Sequence, residues 1–255
     1  MLPAFAQVSS APPSSEKTTP RQHRPIRDRV DHGDGTTTSS NWSGYAVTGS
    51  DFTSAEGSWI VSAVTCTSGS QYSAFWVGID GDQPDSDTVE QTGTESDCNG
   101  KNPSYSAWYE FYPANSHTIT SVPVKPGDYM SAKVVSSGSE FTVTLTNVTT
   151  GKSYSKTETV SKAKRNSAEW IAEAPCCTLG GGILPLADFG TGLFGKDNTS
   201  VTGTNYAADS GTSGPISSFS TIQQINIEST KNVKEDTTTT LSGDGTSFSV
   251  TWLAK

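Results

Sequence analysis

The chain has 255 residues, among them 24 Gly and 13 Pro, and only 17% of its residues are charged. That length accommodates one large β domain with a sizeable core, and the scarcity of charged residues argues against long amphipathic helices and coiled coils. A formal charge of −9 argues against a nucleic-acid partner, and no apolar run reaches the roughly 18–20 residues that span a bilayer.

Residues Met1-Leu2-Pro3-Ala4-Phe5-Ala6 carry an Ala-x-Ala of the form that signal peptidase cuts, without the charged and apolar regions that should precede it. They read as the remnant of a clipped secretory signal. Residues 8–40 are Ser/Pro-rich, then basic, then Gly/Thr-rich, with no hydrophobic periodicity. Up to Ser40 the basic side chains are Lys17, Arg21, Arg24, Arg27 and Arg29, against Glu16, Asp28, Asp31 and Asp34. The remainder holds 12 basic and 22 acidic residues. Residues 1–40 are therefore expected to be a largely disordered, basic leader, joined to an acidic body over 41–255 like a prosegment held by charge. A solvated tail would have the same composition.

From Asn41 onward, short aromatic and β-branched segments alternate with turn signals. Strands are predicted around Trp59-Ile60-Val61, Phe75 to Ile79, Ala107 to Tyr112, Phe141 to Leu145, Ile222 to Ile227 and Phe248 to Trp252. Asp80-Gly81, Pro126-Gly127-Asp128, Thr150-Gly151-Lys152 and Gly243-Asp244-Gly245 punctuate them. This spacing predicts an all-β sandwich or barrel forming a single domain. The sequons at Asn41, Asn147 and Asn198 and the even count of four cysteines suit a secreted, extracellular protein. Cys66 and Cys98 bracket the strands around Trp76 and Gln91 and are expected to pair. Cys176-Cys177 would form a vicinal bridge, although four cysteines permit three connectivities.

Several motifs imitate chemistry. Gly190-Thr191-Gly192-Leu193-Phe194-Gly195-Lys196 fits a phosphate-loop pattern, but turn residues follow it where a helix N-terminus is required. Asp209-Ser210-Gly211-Thr212 resembles an aspartic-peptidase loop with no second copy to share its proton. Of His23, His32 and His117, two lie in the leader, and His117 reads as a surface loop residue. That leaves little for a His-dependent triad or a zinc site. No metal and no cofactor is expected.

Carboxylates, amides and tryptophans remain. Asn41-Trp42-Ser43-Gly44, Phe75-Trp76-Val77-Gly78-Ile79-Asp80-Gly81, Glu90-Gln91-Thr92-Gly93, Ala107-Trp108-Tyr109-Glu110-Phe111-Tyr112, Pro126-Gly127-Asp128, Ala168-Glu169-Trp170-Ile171 and Ala187-Asp188-Phe189-Gly190-Thr191 follow one another in order. This succession resembles the glutamic peptidases, or eqolisins, over most of the body. The resemblance implies a β-sandwich of two bent antiparallel sheets, of concanavalin-like or jelly-roll type, with a cleft on the concave face. It also implies a secreted, acid-acting endopeptidase made with a basic prosegment. Its catalytic Gln and Glu fall on Gln91 and Glu169, and its cleft residues match Trp42, Trp76, Asp80, Trp108, Glu110 and Tyr112.

Those residue types suit peptide hydrolysis. A Glu with an ordinary pKa near 4.3 is still partly ionised in mild acid. Glu169 can therefore take a proton from an attacking water and return it to the leaving nitrogen. Gln91 does not titrate, so its amide can donate to the oxyanion at any pH. Strand alternation places Trp108, Glu110 and Tyr112 on one face, with Tyr109 and Phe111 on the other. Trp59 and Trp252 default to core or inter-sheet packing. Polypeptide substrates and a monomer are expected, with acid-triggered leader removal near residues 32–40. Phe75 and Glu90 depart from the small or aliphatic residues expected beside Trp76 and Gln91. Two rivals use the same residue types: a non-catalytic, lectin-like carbohydrate-binding sandwich, and a glycoside hydrolase pairing Glu110 with Glu169 at about 5–9.5 Å.

Overall fold

The computed structural model describes residues 17–18, 21–176 and 181–253. Hydrophobic alternation builds the outer sheet. In Tyr129–Ser137, Met130, Ala132 and Val134 point inward, and in Glu140–Asn147 so do Phe141, Val143 and Leu145. The register sets Ala132 opposite Leu145 and Val134 opposite Val143. On the solvent side, Thr142, Thr144 and Thr146 share hydrogen bonds with Thr157, Ser155 and Ser153 at 2.8, 2.7 and 2.9 Å. Hydroxyls thus occupy the exposed face where charges would be usual, which is how the Ser/Thr-rich composition is spent.

This sheet runs Lys152–Thr159, Glu140–Asn147, Tyr129–Ser137, Ser54–Ile60, Thr191–Phe194, Phe248–Trp252, Asp236–Thr238. The second sheet runs Lys17–Thr18, His117–Thr118, Asn102–Tyr112, Val89–Asn99, Ala74–Ile79, Ser167–Glu173, Trp42–Thr48, Ile222–Ile227, Thr36–Ser39, Val30–Asp31. Neighbouring strands pair antiparallel except Thr36–Ser39, which runs parallel to Ile222–Ile227. Trp59, Phe75, Trp170, Phe194 and Phe248 fill the core between the sheets, and Trp252 packs half-buried against it. Two indoles are tied there as buried Trp requires. Trp59 Nε1 donates to Thr94 Oγ1 at 2.9 Å and Trp170 Nε1 to the Glu56 carbonyl at 2.8 Å. The expected all-β sandwich is the fold observed.

The second sheet is buried on both faces. Away from the core it carries a separate apolar cluster of Trp42, Ala46, Ala74, Trp76, Val89, Trp108, Ile171 and Ile225, joined by Tyr112 and by Ile26 of the leader. The disorder expected up to Ser40 does not hold for residues 21–40. Thr36–Ser39 is a sheet strand with Val30–Asp31 paired outside it. Residues 21–29 cross the cluster: Gln22 and Cys176 exchange backbone hydrogen bonds of 3.3 and 3.0 Å, and the Ile26 amide donates to the Gly81 carbonyl at 3.1 Å. This segment shows no periodicity because it has no apolar face of its own. It docks into a surface built by others.

Cys66 and Cys98 form the expected disulfide, Cα atoms 5.4 Å apart. The vicinal bridge falls on Cys177 and the signal remnant on residues 1–6, both outside the described residues. His117 is not in a loop: it lies in a two-residue strand opposite Tyr109 and stacks on that ring at 5.0 Å. Asp209 closes its own turn by accepting from the amides of Gly211 and Thr212. The Gly190–Lys196 motif becomes the strand Thr191–Phe194 and a four-residue helix, Lys196–Thr199.

Candidate active site

Residues directly opposite in antiparallel strands share a face, so register reads the site row by row. One row crosses six strands: Gln223, Ala46, Glu169, Gly78, Gln91, Glu110. Gln91 and Glu169, 78 positions apart in sequence, are thus two strands apart, about 9.5 Å between Cα atoms. Between them stands Gly78, which has no side chain to fill the gap. A Cβ there would meet Trp76 Cζ3 at 2.9 Å and Gln91 Cβ at 3.3 Å. The next row holds Gly44, Ile171, Trp76, Gly93 and Trp108, and the one after it Trp42, Glu173, Ala74, Glu95 and Ser106.

Glu169 is fully buried, and neither carboxyl oxygen has a protein hydrogen-bond partner of good geometry. Burial pushes its pKa well above the carboxylate range. The Ser167 hydroxyl offsets this in part, and the charges of Asp82, Asp80 and Glu90 add to it. Glu110 is raised well above its ordinary value, again by burial, with His23 opposing.

The leader occupies this face. Gln91 Nε2 donates to the His23 carbonyl at 2.7 Å, and the His23 amide donates to Glu110 Oε2 at 2.8 Å. Gln91 and Glu110 therefore grip both backbone groups of one residue of an extended peptide. Its imidazole lies flat on Trp108, ring centroids 3.6 Å apart and planes 7° apart. His23 Nδ1 is 2.8 Å from Glu173 Oε2, which also accepts from Trp76 Nε1 at 2.9 Å. Burial disfavours the imidazolium, but Glu173, with Glu95 and Glu110 behind it, more than reverses this and raises its pKa to about 10.

Two arginines hold the segment on either side of His23. Arg21 Nη1 meets Glu95 Oε1 at 2.7 Å and Asp97 Oδ2 at 2.6 Å, its guanidinium 4.5 Å from the Tyr72 ring centroid. Arg29 Nη1 reaches Asp82 Oδ2 at 3.2 Å, an oxygen that also accepts from Gln223 Nε2 at 3.1 Å.

Trp42, Trp76, Trp108, Glu110 and Tyr112 all lie on the cleft face with Gln91 and Glu169, while Tyr109 and Phe111 pack in the core. Trp42 meets Trp76 edge-on at 5.0 Å. Asp80 is placed differently: its carboxylate accepts from the backbone amides of Lys164, Arg165 and Asn166 at 2.7, 2.8 and 2.9 Å. It anchors the loop leading into the Glu169 strand. Glu110 and Glu169 are three strands apart in this row, with Gly78 and Gln91 between them. Glu173 and Glu95, which touch or approach His23, went unread in the sequence. Each lies four residues beyond Glu169 or Gln91 on the same strand, so period-two alternation puts them on the same face. Among the described residues, no group of three or more His, Cys, Asp and Glu converges as a metal site.

The model of the Peptidase A4 family matches residues 40–252. The chain belongs to the Peptidase A4 family. It is 32% identical over 238 residues to Aspergillopepsin-2 of Aspergillus niger, covering 84% of this chain and 78% of that one. It is 35% identical over 141 residues to Scytalidopepsin B of Scytalidium lignicola, covering 54% and 52%. Scytalido-glutamic peptidase with a transition state analog inhibitor superposes with a TM-score of 0.70 at 27% identity, over 84% of this chain and 98% of that one. SCP-B, an Eqolisin family member in complex with a tripeptide Ala-Ile-His, gives 0.63 at 26% over the same shares. This Peptidase A4 member is accordingly a glutamic peptidase, an acid endopeptidase acting on polypeptides. The family match begins at residue 40, so the segment lying in the cleft is outside it.

Proposed function

We propose that this peptidase acts outside the cell through Gln91 and Glu169, and that residues 21–29, part of a 1–40 prosegment, inhibit the 41–255 catalytic domain until acid dislodges them. One observation carries the reading. Gln91 already donates 2.7 Å to a backbone carbonyl of a peptide lying across the cleft, in the row that contains Glu169. That carbonyl stands where a scissile one would be polarised. Solved relatives bound to a transition state analog and to a tripeptide support a peptide in this cleft.

The steps follow from these groups. Water enters the gap over Gly78, and ionised Glu169 takes its proton as the oxygen attacks the carbonyl carbon. The carbonyl electrons move onto oxygen, where the Gln91 amide stabilises the oxyanion. Glu169 then gives its proton to the departing nitrogen as the C–N bond breaks, leaving a carboxylic acid and an amine. Glu110 holds the amide of the residue that supplies the carbonyl, and Trp42, Trp76, Trp108 and Tyr112 wall the chain. Asp80 steadies the loop before Glu169. While the leader covers the cleft, burial keeps Glu169 protonated and without basicity. Solvent entry on leader release brings its pKa back toward the ordinary range. Within the 32–40 stretch expected to hold the activating cut, residues 32–35 form an exposed turn that suits it, whereas Thr36–Ser39 is a sheet strand.

The test is hydrolysis of denatured casein between pH 2 and 7 by acid-incubated protein, with pepstatin and a chelator present. Glu169→Gln should abolish activity. Gln91→Ala should lower kcat by about 10²–10³-fold, the worth of one oxyanion donor. Undiminished hydrolysis by either variant would overturn the assignment.

A further inference from the structure

We infer that the buried slot holding the His23 ring is a specificity subsite for a histidine side chain in peptide substrates, selected by Glu173. This rests on the Gln91 and Glu169 reading, because it is the Gln91 contact that makes His23 the residue supplying the polarised carbonyl.

Every wall of the slot belongs to the catalytic body. The face of Trp108 forms the floor, Glu173 and the Trp76 indole N–H form one end, and Glu95 Oε1 lies 3.4 Å from His23 Nε2 at the other. Trp108 and Glu173 are 1% and 0% exposed with the ring in place. These residues come from sheet strands whose pairing does not involve the leader, so the slot persists when the leader goes. A buried carboxylate without a partner is expensive, and a flat ligand with an N–H at one edge relieves that cost while covering the indole.

Imidazole supplies all of this in a ring attached directly to Cβ, as His23 shows; arginine, the other flat cation with N–H groups, carries its plane two methylenes further from the backbone than the ring that lies on Trp108. Phenylalanine stacks on Trp108 but brings nothing to Glu173. Lysine brings a charge but no plane. Histidine in acid is a flat cation carrying two N–H groups, and an enzyme working below the ordinary histidine pKa of about 6.5 meets it in that form. Burial pushes the Glu173 carboxyl up, against the pull of a protonated imidazole and the Trp76 N–H; wherever it is ionised the Nδ1–H contact is charge-assisted, and a planar cation over a Trp face adds its own attraction. The raised pKa of His23 agrees: these surroundings favour the protonated ring.

The experiment uses the full chain after acid incubation has released its leader. Matched peptides differ at a single residue, carrying histidine, Nδ1-methylhistidine or phenylalanine, with cleavage sites read by mass spectrometry. Cleavage on the C-terminal side of the varied residue should show kcat/KM at least tenfold higher for histidine than for the other two. In Glu173→Gln the histidine preference should collapse to threefold or less. The methylated peptide keeps ring and charge but cannot donate from Nδ1, so it tests the contact in unaltered protein should the variant misfold. Affinities of product-like peptides ending in each residue, read by tryptophan fluorescence, do not depend on turnover. Equal affinities, equal kcat/KM values or a preference unchanged in Glu173→Gln would overturn the inference. Absence of any hydrolysis with histidine still bound tightest would instead count against the Gln91 and Glu169 assignment.

Discussion

Glu90 and Glu169 are both fully buried glutamates pushed well above the carboxylate range chiefly by burial, yet they face opposite sides of one sheet. Glu90 is registered against Ile79 and Phe111, on the core side, where the nearby Asp80 charge raises it further and neither oxygen has a protein partner of good geometry. The sign of the stability effect follows. In the unfolded chain each ionises near its ordinary pKa of about 4.3, while the folded state keeps the proton to higher pH. Between those two pKa values the native state binds more protons, so stability falls as pH rises. Glu90→Gln should therefore raise the melting temperature at pH 7, by about 2–4 °C for each kcal/mol recovered, and change it little at pH 3. Glu169→Gln should show the same stability gain while hydrolysis disappears; Glu90→Gln should leave hydrolysis in place. Thermal unfolding at both pH values, beside a casein assay, separates a carboxyl kept for chemistry from one merely tolerated. Identical thermal behaviour of wild type and Glu90→Gln at pH 7 would remove the argument for Glu90.

At the scale of strands, Ala74–Ile79 works as a spacer. Gly78 keeps Gln91 and Glu169 in one row without filling the gap between them, and the Trp76 ring leans over the same place. Gly78→Ala should preserve the fold but displace Trp76 or Gln91 by a few tenths of an ångström or more. Positioning errors of this order cost catalysis steeply. A drop of about tenfold or more in kcat, with circular dichroism unchanged, is expected; unchanged kcat would show the gap to be unimportant. Strand alternation made much of this legible beforehand. It put Trp108, Glu110 and Tyr112 on one face, and the six strands named from the sequence are all strands. What joins Gln91 to Glu169, however, is register across Gly78, and no local pattern reports which strand lies beside which. The docking of residues 21–29 was hidden for another reason: the segment has no periodicity because its contacts are to backbone and carboxylates of other elements. Asp80 stood inside a cleft motif, but only the path of residues 164–166 shows that its carboxylate is fully used in holding a loop.

The whole molecule suits acid, and the contacts of residues 21–29 set the order in which the proposed release would run. The hydroxyl ladders on the outer sheet do not titrate, so that part of its surface is indifferent to pH, and charges sit beside them in the pairs Lys133–Glu56 and Lys156–Glu158. Asp236, raised to about 7 by burial, joins Glu90, Glu110 and Glu169 in favouring the folded state at low pH. The leader's grip has the opposite dependence at one end. Burial would raise Glu95, but contact with His23 and Arg21 more than offsets it and holds the carboxyl below its ordinary value. Asp97 beside it is pushed up by burial and by the Glu95 charge. A carboxyl depressed by the bound leader stabilises that state above the ordinary carboxylate pKa and loses its contribution as pH falls through the depressed value. His23 runs the other way: its raised pKa makes its contribution complete below about 6.5 and lost only as pH rises through about 10. The proposed acid release would therefore start at the Arg21 end, with Glu95, and not at the imidazole. Glu95 loses its contribution between its ordinary value near 4.3 and its depressed value of about 2, so Glu95→Gln and Arg21→Ala should each shift leader release and the onset of casein hydrolysis to higher pH, by a unit or so, in timed incubations between pH 2 and 5 followed by N-terminal mass analysis. His23→Ala should weaken the leader over the whole of that range without moving the pH at which release steepens. If instead His23→Ala moves the midpoint and Glu95→Gln does not, the imidazole is the trigger and the charge pair at Arg21 is only an anchor.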